Sequence, residues 1–282
     1  MTARTPTLFS AKRWTCGSAT KSSLSHLALG RTGQDAAYAR LLPRPIILVA
    51  DGRGSSEKSE IGAGAAADCF AQVVDRHSAL VAQCLDSPTD DSAREEQWRS
   101  FVELLHIGLV ERQEELARAH SVDTCELEFT LAAAVVGRKY VGVVQIGDSC
   151  VAVERALEIQ LAMPPDRGEF ANETNFISAR ELAASRIAAR TFPAADVTGL
   201  VAFTDGLLHR WLDARTLAVA PGVGRILRNL GDRVWDQRRL DAFLDHPIWH
   251  DSDDDDRGVA YLVTKISGAG SKPRRRRAKS CS

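Results

Sequence analysis

Residues 46–52 have the sequence Ile-Ile-Leu-Val-Ala-Asp-Gly, and the interpretation of the whole chain starts from this stretch. An apolar run of about five residues that ends at turn-forming residues is typical of a buried strand. The same arrangement returns in residues 141–148 and 200–206, where Asp and Gly again follow the run. A further acid, Asp256, stands just before the apolar residues 259–263. We therefore predict several buried strands whose tips carry a carboxylate.

The strand-tip acids are Asp51, Asp148, Asp205 and Asp256. A carboxylate at a buried strand tip destabilises a fold unless a hydrogen bond or a cation compensates for its lost hydration. Each acid alone has an ordinary interpretation as a turn or cap residue, above all Asp148 in its Gly-Asp-Ser tripeptide. Together at one sheet edge they would form the cluster of hard oxygen ligands that Mg²⁺ and Mn²⁺ prefer. The ordered set favours the metal site.

The remaining pattern predicts an α+β fold. Apolar residues at helical spacing indicate helices at 60–85 and 92–119, separated by a break that contains Pro88. Residues 127–136 and 139–146 then form a predicted β-hairpin. Further strands are predicted at 13–18, 36–42, 151–153, 157–161, 200–203 and 259–264, and further helices at 222–230 and 236–244. Long helices followed by hairpin strands indicate α+β rather than alternating β-α-β units.

The chain divides into three parts by composition. A single domain is predicted for residues 13–267, since 282 residues that are 44% hydrophobic can build one large core. Residues 1–12 carry little pattern and are expected to be a mobile lead-in. Residues 268–282 are rich in Gly, Ser, Lys and Arg, and we expect a disordered tail. Its basic part, residues 272–277, is interpreted as solubilising, with contacts to nucleic acid, an acidic partner or lipid headgroups as alternatives.

Composition excludes several classes of protein. The net charge of −1 gives no general attraction to nucleic acid or an anionic membrane. No apolar run approaches the roughly 20 residues of a transmembrane helix, and residues 1–10 lack the apolar core of a secretory signal. The six cysteines form no Cys-x-x-Cys pair, which argues against a zinc ribbon or a disulfide scaffold. A reduced, cytoplasmic setting is the expectation, and a cysteine-nucleophile phosphatase is disfavoured.

Three other patterns have simpler explanations. Residues 62–67 fit a G-x-G-x-x-A dinucleotide fingerprint, but about eleven residues separate them from the preceding strand, and an Ala-rich helix explains them better. His246 and His250 have the spacing of a helical zinc pair, but Pro247 disrupts that helix. Residues 251–256 are acidic without the Gly of an EF-hand loop, and they indicate a solvated loop apart from Asp256.

The order of these motifs resembles the metal-dependent protein phosphatases, the type 2C (PPM) serine/threonine family, in its bacterial-type branch. The similar blocks are Ser25-His26 with Gln34-Asp35-Ala36 (an opening that ends in Q-D-A), Val49-Ala50-Asp51-Gly52-Arg53-Gly54 (V-A-D-G-x-G), Ile146-Gly147-Asp148-Ser149 (V-G-D-S), Thr204-Asp205-Gly206 (S-D-G) and Asp255-Asp256 (D-[ND]). Residues 169–174 also resemble an E-Y-x-N-E-T segment. The blocks follow the family order across residues 14–265.

The resemblance implies a four-layer α-β-β-α sandwich with two central, mostly antiparallel sheets and a site for two or three Mn²⁺ or Mg²⁺ ions. By position, Asp51 would bridge both ions with the Gly52 carbonyl on one of them. Asp205 and Asp256 would bind the other ion. A looser third site would be formed by Asp148 and Asp205.

The opening block carries one further expectation about the metal site. By position, Gln34 or Asp35 would hold ordered water or coordinate directly. Anchoring of their own loop is the alternative for this pair.

Two departures from the family pattern concern the phosphate. Many eukaryotic members place a His, a proposed general acid, at the position of Arg53. Arg53 cannot donate a proton at neutral pH but is suited to clamping a phosphate. The family's Arg before the Q-D pair would fall on Gly30, so Arg31, one residue away, and His26 are the other phosphate-contacting candidates. For His26, loop hydrogen bonding is an equal alternative.

The implied function is serine/threonine protein phosphatase, a phosphoric monoester hydrolase in which a metal-bridging hydroxide attacks phosphorus. The expected partner is a phosphorylated protein, and a monomeric state is compatible with the sequence. Two rivals remain: a catalytically weak phosphatase-like binding or regulatory module, motivated by Arg53 and Arg31, and another metal-dependent phosphoesterase, which shares the carboxylates.

Overall fold

Ten strands and seven α-helices make up the part of the chain that the computed structural model describes, namely residues 14–166, 174–179, 186–250 and 254–264. The strands are β1 (Trp14–Lys21), β2 (Asp35–Arg40), β3 (Ile46–Asp51), β4 (Leu131–Val136), β5 (Tyr140–Ile146), β6 (Cys150–Arg155), β7 (Glu158–Leu161), β8 (Ala188–Pro193), β9 (Val197–Phe203) and β10 (Arg257–Thr264). The helices are α1 (Leu24–Ala28), α2 (Ser59–Arg76), α3 (Ser78–Asp86), α4 (Asp91–His120), α5 (Leu208–Trp211), α6 (Pro221–Gly231) and α7 (Gln237–Leu244). Three 3-10 turns complete these ranges, at Thr124–Leu127, Asp205–Leu207 and Pro247–His250.

The strands form two five-stranded sheets. One has the order β1-β10-β9-β6-β7 and the other β2-β3-β4-β5-β8, and every described pairing is antiparallel. Each sheet is apolar on both faces, because one face meets the other sheet and the second meets helices. The predicted α+β sandwich with two antiparallel sheets flanked by helices is therefore confirmed.

Strand β3 shows how the sequence builds the layers. Its side chains alternate, so Ile46, Leu48 and Ala50 join the core under α2–α4, whereas Ile47 and Val49 join the core between the sheets. A third core lies between the first sheet and α5–α7. The last residue of β3, Asp51, continues the alternation of Ile47 and Val49 at the end of the inter-sheet layer. This parity places a carboxylate at the mouth between the two sheets.

Several element boundaries differ from the sequence-based prediction. The predicted helix 60–85 is two helices, since it ends at Arg76 and restarts at Ser78. The hairpin strand predicted from residue 127 starts only at Leu131, because Asp123 caps a 3-10 turn over Thr124–Leu127. Strand β8 was not predicted: it is a sheet edge, half exposed, so its sequence lacks the apolar run of a buried strand.

Residues 62–67 lie inside α2, as the helical interpretation predicted. A Cβ at Gly62 would clash with the carbonyl of Leu127, so close packing explains this glycine. The predicted lead-in, the basic tail and residues 169–173 of the E-Y-x-N-E-T-like segment lie outside the described residues. In the described part of the chain, no helix combines the length and apolarity needed to cross a bilayer.

Candidate metal centre

Three of the predicted acids meet at one end of the sandwich. One carboxylate oxygen from each of Asp51, Asp148 and Asp205 lies within 4.8 Å of the other two, and all three side chains are half-buried. Asp51 ends β3, Asp148 lies in the turn between β5 and β6, and Asp205 follows β9. The cluster therefore draws on both sheets. A gathering of three carboxylates at this distance is a suitable ligand set for a hard divalent cation.

Asp35 is the fourth acid at this end, and β2 places it directly opposite Asp51 in the β2–β3 register. Its Oδ2 accepts a 2.6 Å hydrogen bond from the Thr204 hydroxyl. Its Oδ1 is buried and has no hydrogen-bond partner among the described residues. An unpartnered buried carboxylate oxygen costs free energy unless a cation or water completes it. The residues present therefore fit a bound cation.

Charge crowding shifts the protonation of these acids. Burial, followed by the charges of Asp255 and Asp148, raises the pKa of Asp205 to about 8. Burial and the charge of Asp205 also raise the pKa of Asp51 well above its ordinary value. Burial raises that of Asp35 against the opposing hydrogen bond from Thr204. Within the described ranges, no Lys or Arg forms an ion pair with Asp35, Asp51 or Asp205.

Asp256 has different surroundings from the triad. It is buried, and its carboxylate accepts hydrogen bonds from the main-chain N–H groups of Ser23 and Gln34, the former at 2.7 Å. Nδ1 of His26 lies 3.0 Å from both of its oxygens. Asp256 thus holds the loop of residues 22–34 against the start of β10. The prediction that it binds a metal with Asp205 stays a prediction.

The neighbouring Asp255 also acts electrostatically on the cluster, and the sequence-based prediction did not include it among the site residues. Its charge is the largest electrostatic contribution to the raised pKa of Asp205, and it also raises those of Asp51 and Asp35. The signal available was the D-[ND] block, in which the first position is always a carboxylate and so always offers a negative charge to a cation. The first position of that block is Asp255.

Glycines and Gln34 shape the turn that carries Asp51. A Cβ at Gly52 would lie 2.7 Å from the Ser59 side chain, so the turn passes too close to α2 for any other residue. The Gln34 side-chain amide donates to the Ser56 carbonyl at 3.0 Å and to the Ser59 hydroxyl at 2.7 Å. Its main-chain carbonyl accepts from the Gly52 N–H. These contacts agree with the loop-anchoring alternative for Gln34.

The three phosphate-contacting candidates lie in different environments. His26 is in α1, with Nδ1 turned to Asp256. Arg31 is exposed on the loop that follows α1. Arg53 forms a 2.7 Å ion pair with Glu128. These positions do not test whether any of the three residues contacts a phosphate, so the phosphate-contacting roles of His26, Arg31 and Arg53 stay predictions.

Comparison with known proteins agrees with this geometry. The family model described as Protein phosphatase 2C matches residues 24–245 of the chain. A search of curated proteins finds no match.

Solved structures with the same fold include a bacterial serine phosphatase, which is 13% identical to this chain, with a TM-score of 0.58 and coverage of 90% of this chain and 99% of that one. Stp1 from Staphylococcus aureus is 15% identical, with a TM-score of 0.55 and coverage of 95% and 100%. The catalytic domain of the serine/threonine phosphatase PstP, in complex with two manganese ions, is 15% identical, with a TM-score of 0.55 and coverage of 89% and 98%. At these identities the likeness shows the fold.

Proposed function

The chain belongs to the protein phosphatase 2C family, and from this premise we propose that it hydrolyses phosphoserine or phosphothreonine in proteins with Mn²⁺ or Mg²⁺ as cofactor. The observation that carries the proposal is the convergence of Asp51, Asp148 and Asp205 at the same end as Asp35, whose Oδ1 has no hydrogen-bond partner in the described part of the chain. Asp35, Asp51 and Asp205 form no ion pair with a Lys or Arg in the described ranges, and such crowded carboxylates are unfavourable for stability unless a cation binds them. A phosphorylated protein is the proposed partner, in a cytoplasmic setting.

We assign the ligands from the positions of the acids. Asp51 is paired with Asp35 in the β2–β3 register and clusters with Asp148 and Asp205, so it would be the acid shared by two cations. Asp205 and Asp255 would complete one of them, and Asp148 with Asp205 a third, looser one. Asp256 would instead keep the loop of residues 22–34 in place through Ser23, Gln34 and His26. This assignment exchanges the predicted Asp256 for Asp255.

Cations held there supply a water of lowered pKa and a positive charge against the phosphate oxygens. The protein residues have complementary tasks. The carboxylates fix the positions of the ions and remain negative once the ions are bound. Thr204 orients Asp35 through its hydroxyl, which in turn accepts a 2.7 Å hydrogen bond from the Gly258 N–H. The rigid turn at Gly52 holds Asp51.

The proposal is tested by the hydrolysis of an aryl phosphate and of phosphopeptides over a Mn²⁺ titration. We expect Asp51→Asn and Asp205→Asn each to reduce metal-stimulated turnover by about 10³-fold or more, because each removes a ligand on which the positions of the ions depend. The control is Arg118→Ala, which alters an exposed pair with Glu114 on α4. Undiminished turnover in both Asn variants would exclude the mechanism.

A second candidate is the phosphatase-like binding module with little turnover. It is favoured by the ion pair of Arg53 with Glu128, which engages the residue found in place of the family's His. Calorimetry distinguishes the two functions, since tight Mn²⁺ binding without hydrolysis of any phosphopeptide supports the binding module. Cleavage of phosphodiesters in the same assay would support the phosphoesterase alternative.

A further inference from the structure

Arg53 lies two residues after Asp51, but its side chain contacts Glu128 and Phe176 rather than the cluster of Asp51, Asp148 and Asp205. Its main-chain N–H donates to the Glu128 carbonyl at 2.9 Å, and its Nη1 donates to Glu128 Oε2 at 2.7 Å. Its guanidinium carbon lies 5.7 Å from the centre of the Phe176 ring, within the range of a cation–π contact. The side chain is thus held on two sides at the edge of the metal centre.

Glu128 is the centre of this arrangement. It is buried, and its second carboxylate oxygen, Oε1, accepts a 2.7 Å hydrogen bond from the Ser178 hydroxyl. One carboxylate therefore joins the turn after β3 to the segment of residues 174–179. Although the Arg53 side chain is 43% exposed, its release to another anion would leave the buried Glu128 carboxylate with no cationic partner, which favours the Arg53–Glu128 pair.

Main-chain contacts follow the same path. Phe129 forms isolated bridges with Gly52 on one side and with Ile177 on the other, and the Ile177 N–H donates to the Phe129 carbonyl at 2.8 Å. Gln113, buried on α4, donates to the carbonyls of Leu127 and Ile177 at 2.9 Å each. Residues 174–179 are therefore fastened to the turn that carries Asp51.

The other end of the same segment reaches the acid cluster. The Thr174 hydroxyl lies 3.4 Å from Asp148 Oδ2 as a long hydrogen bond. A movement of residues 174–179 would therefore alter the hydrogen bond to Asp148, one of the three clustered acids.

We propose that Arg53 is a positioning residue, which acts through Glu128 to hold residues 174–179 against the turn that carries Asp51 and does not contact the substrate phosphate. The role in catalysis rests on the proposed function. The positioning itself does not, because it is a property of the protein without substrate. This replaces the phosphate clamp expected for Arg53 with a structural link specific to the Arg–Glu–Ser arrangement.

Hydrogen–deuterium exchange of the metal-free protein tests the link directly. We expect Arg53→Ala and Glu128→Gln each to accelerate amide exchange in residues 174–179 by about tenfold, with Ser178→Ala giving a smaller increase. Because Arg53 and Glu128 act as one unit, the double variant should exchange no faster than the faster single variant within about twofold. Arg53→Lys, which keeps the charge, should restore part of the protection. Arg118→Ala should leave exchange in this segment unchanged.

Binding of inorganic phosphate to the Mn²⁺-loaded protein separates positioning from clamping. We expect Arg53→Ala and Glu128→Gln to change the phosphate Kd by less than about threefold, while kcat for phosphopeptides falls and KM changes little. A tenfold weaker phosphate affinity in Arg53→Ala, with Glu128→Gln unaffected, would overturn the proposal in favour of the clamp. So would wild-type exchange in both variants. If the wild type neither binds Mn²⁺ nor hydrolyses phosphopeptides, the proposed function fails. The exchange experiment alone then decides whether Arg53 holds residues 174–179 in place.

Discussion

Two regions of the molecule, the layer between the first sheet and α6 and the mouth between the two sheets, differ in how their carboxylates are compensated. Glu154, on β6, is 1% exposed, and it is paired with Arg228 and accepts a 3.1 Å hydrogen bond from the Thr198 hydroxyl. Asp35, Asp51 and Asp205 crowd together, have no such cation among the described residues and have raised pKa values. The fold thus supplies an arginine where a buried acid has only a structural role. The difference indicates that the acid cluster is built for a cation from outside the chain.

The largest expected change in stability follows from the removal of Arg228. Arg228→Met leaves Glu154 buried without its cation, and we expect the free energy of unfolding to fall by about 3–5 kcal/mol. Chemical denaturation measures this loss, and saturating Mn²⁺ should not restore it. A loss below about 1 kcal/mol would mean that Glu154 does not depend on this ion pair.

At the acid cluster, removal of a charged side chain is expected to increase the free energy of unfolding. Asp205→Asn removes one charge from the crowded group, so the metal-free protein at pH 8 should gain about 1–3 kcal/mol in unfolding free energy. The same variant should lose most of the stabilisation that Mn²⁺ gives the wild type. Denaturant titrations with EDTA and with Mn²⁺ provide both values, and destabilisation of the metal-free variant would contradict the account.

The pH dependence of stability provides a further test of the raised pKa values in the acid cluster. An acid with a raised pKa binds its proton more tightly in the folded state, so its contribution to stability is complete below its ordinary pKa and is lost as pH rises. For Asp205 that window extends from its ordinary value of 3.8 to about 8. We expect the Tm of the metal-free protein to fall by several degrees between pH 5 and pH 8. Mn²⁺ should remove most of this fall, and calorimetric scans at both pH values check it.

Sequence periodicity predicted the part of the site that lies on buried strands. Asp51 follows the apolar run of β3, so strand prediction was enough to place it at a sheet tip, whereas Asp35 was expected in the loop before residue 36 and its metal role came from the family resemblance. The choice between Asp255 and Asp256 was not predictable in this way. Both acids lie in one acidic run before β10, and only Asp256 accepts its hydrogen bonds from a loop more than 220 residues earlier, which no local pattern reveals.

Arg53 illustrates a second limit of the sequence. Its chemistry suits a phosphate or a carboxylate equally, and its actual partner, Glu128, lies 75 residues away. Only the packing of the turn after β3 against residues 128–130 brings the pair together. The edge strand β8 escaped prediction for a related reason, because its identity depends on pairing with β5 rather than on its own apolar pattern.

Anomalous diffraction from crystals grown with Mn²⁺ tests the central claim most directly. The account predicts at least two manganese peaks within about 2.5 Å of carboxylate oxygens of Asp51, Asp205 and Asp255, with Asp256 retaining its hydrogen bonds to Ser23 and Gln34. Crystals soaked in EDTA should lose the peaks. The account would be contradicted if crystals grown at saturating Mn²⁺ showed no manganese at these acids, or if a lysine or arginine of the chain lay among the acids.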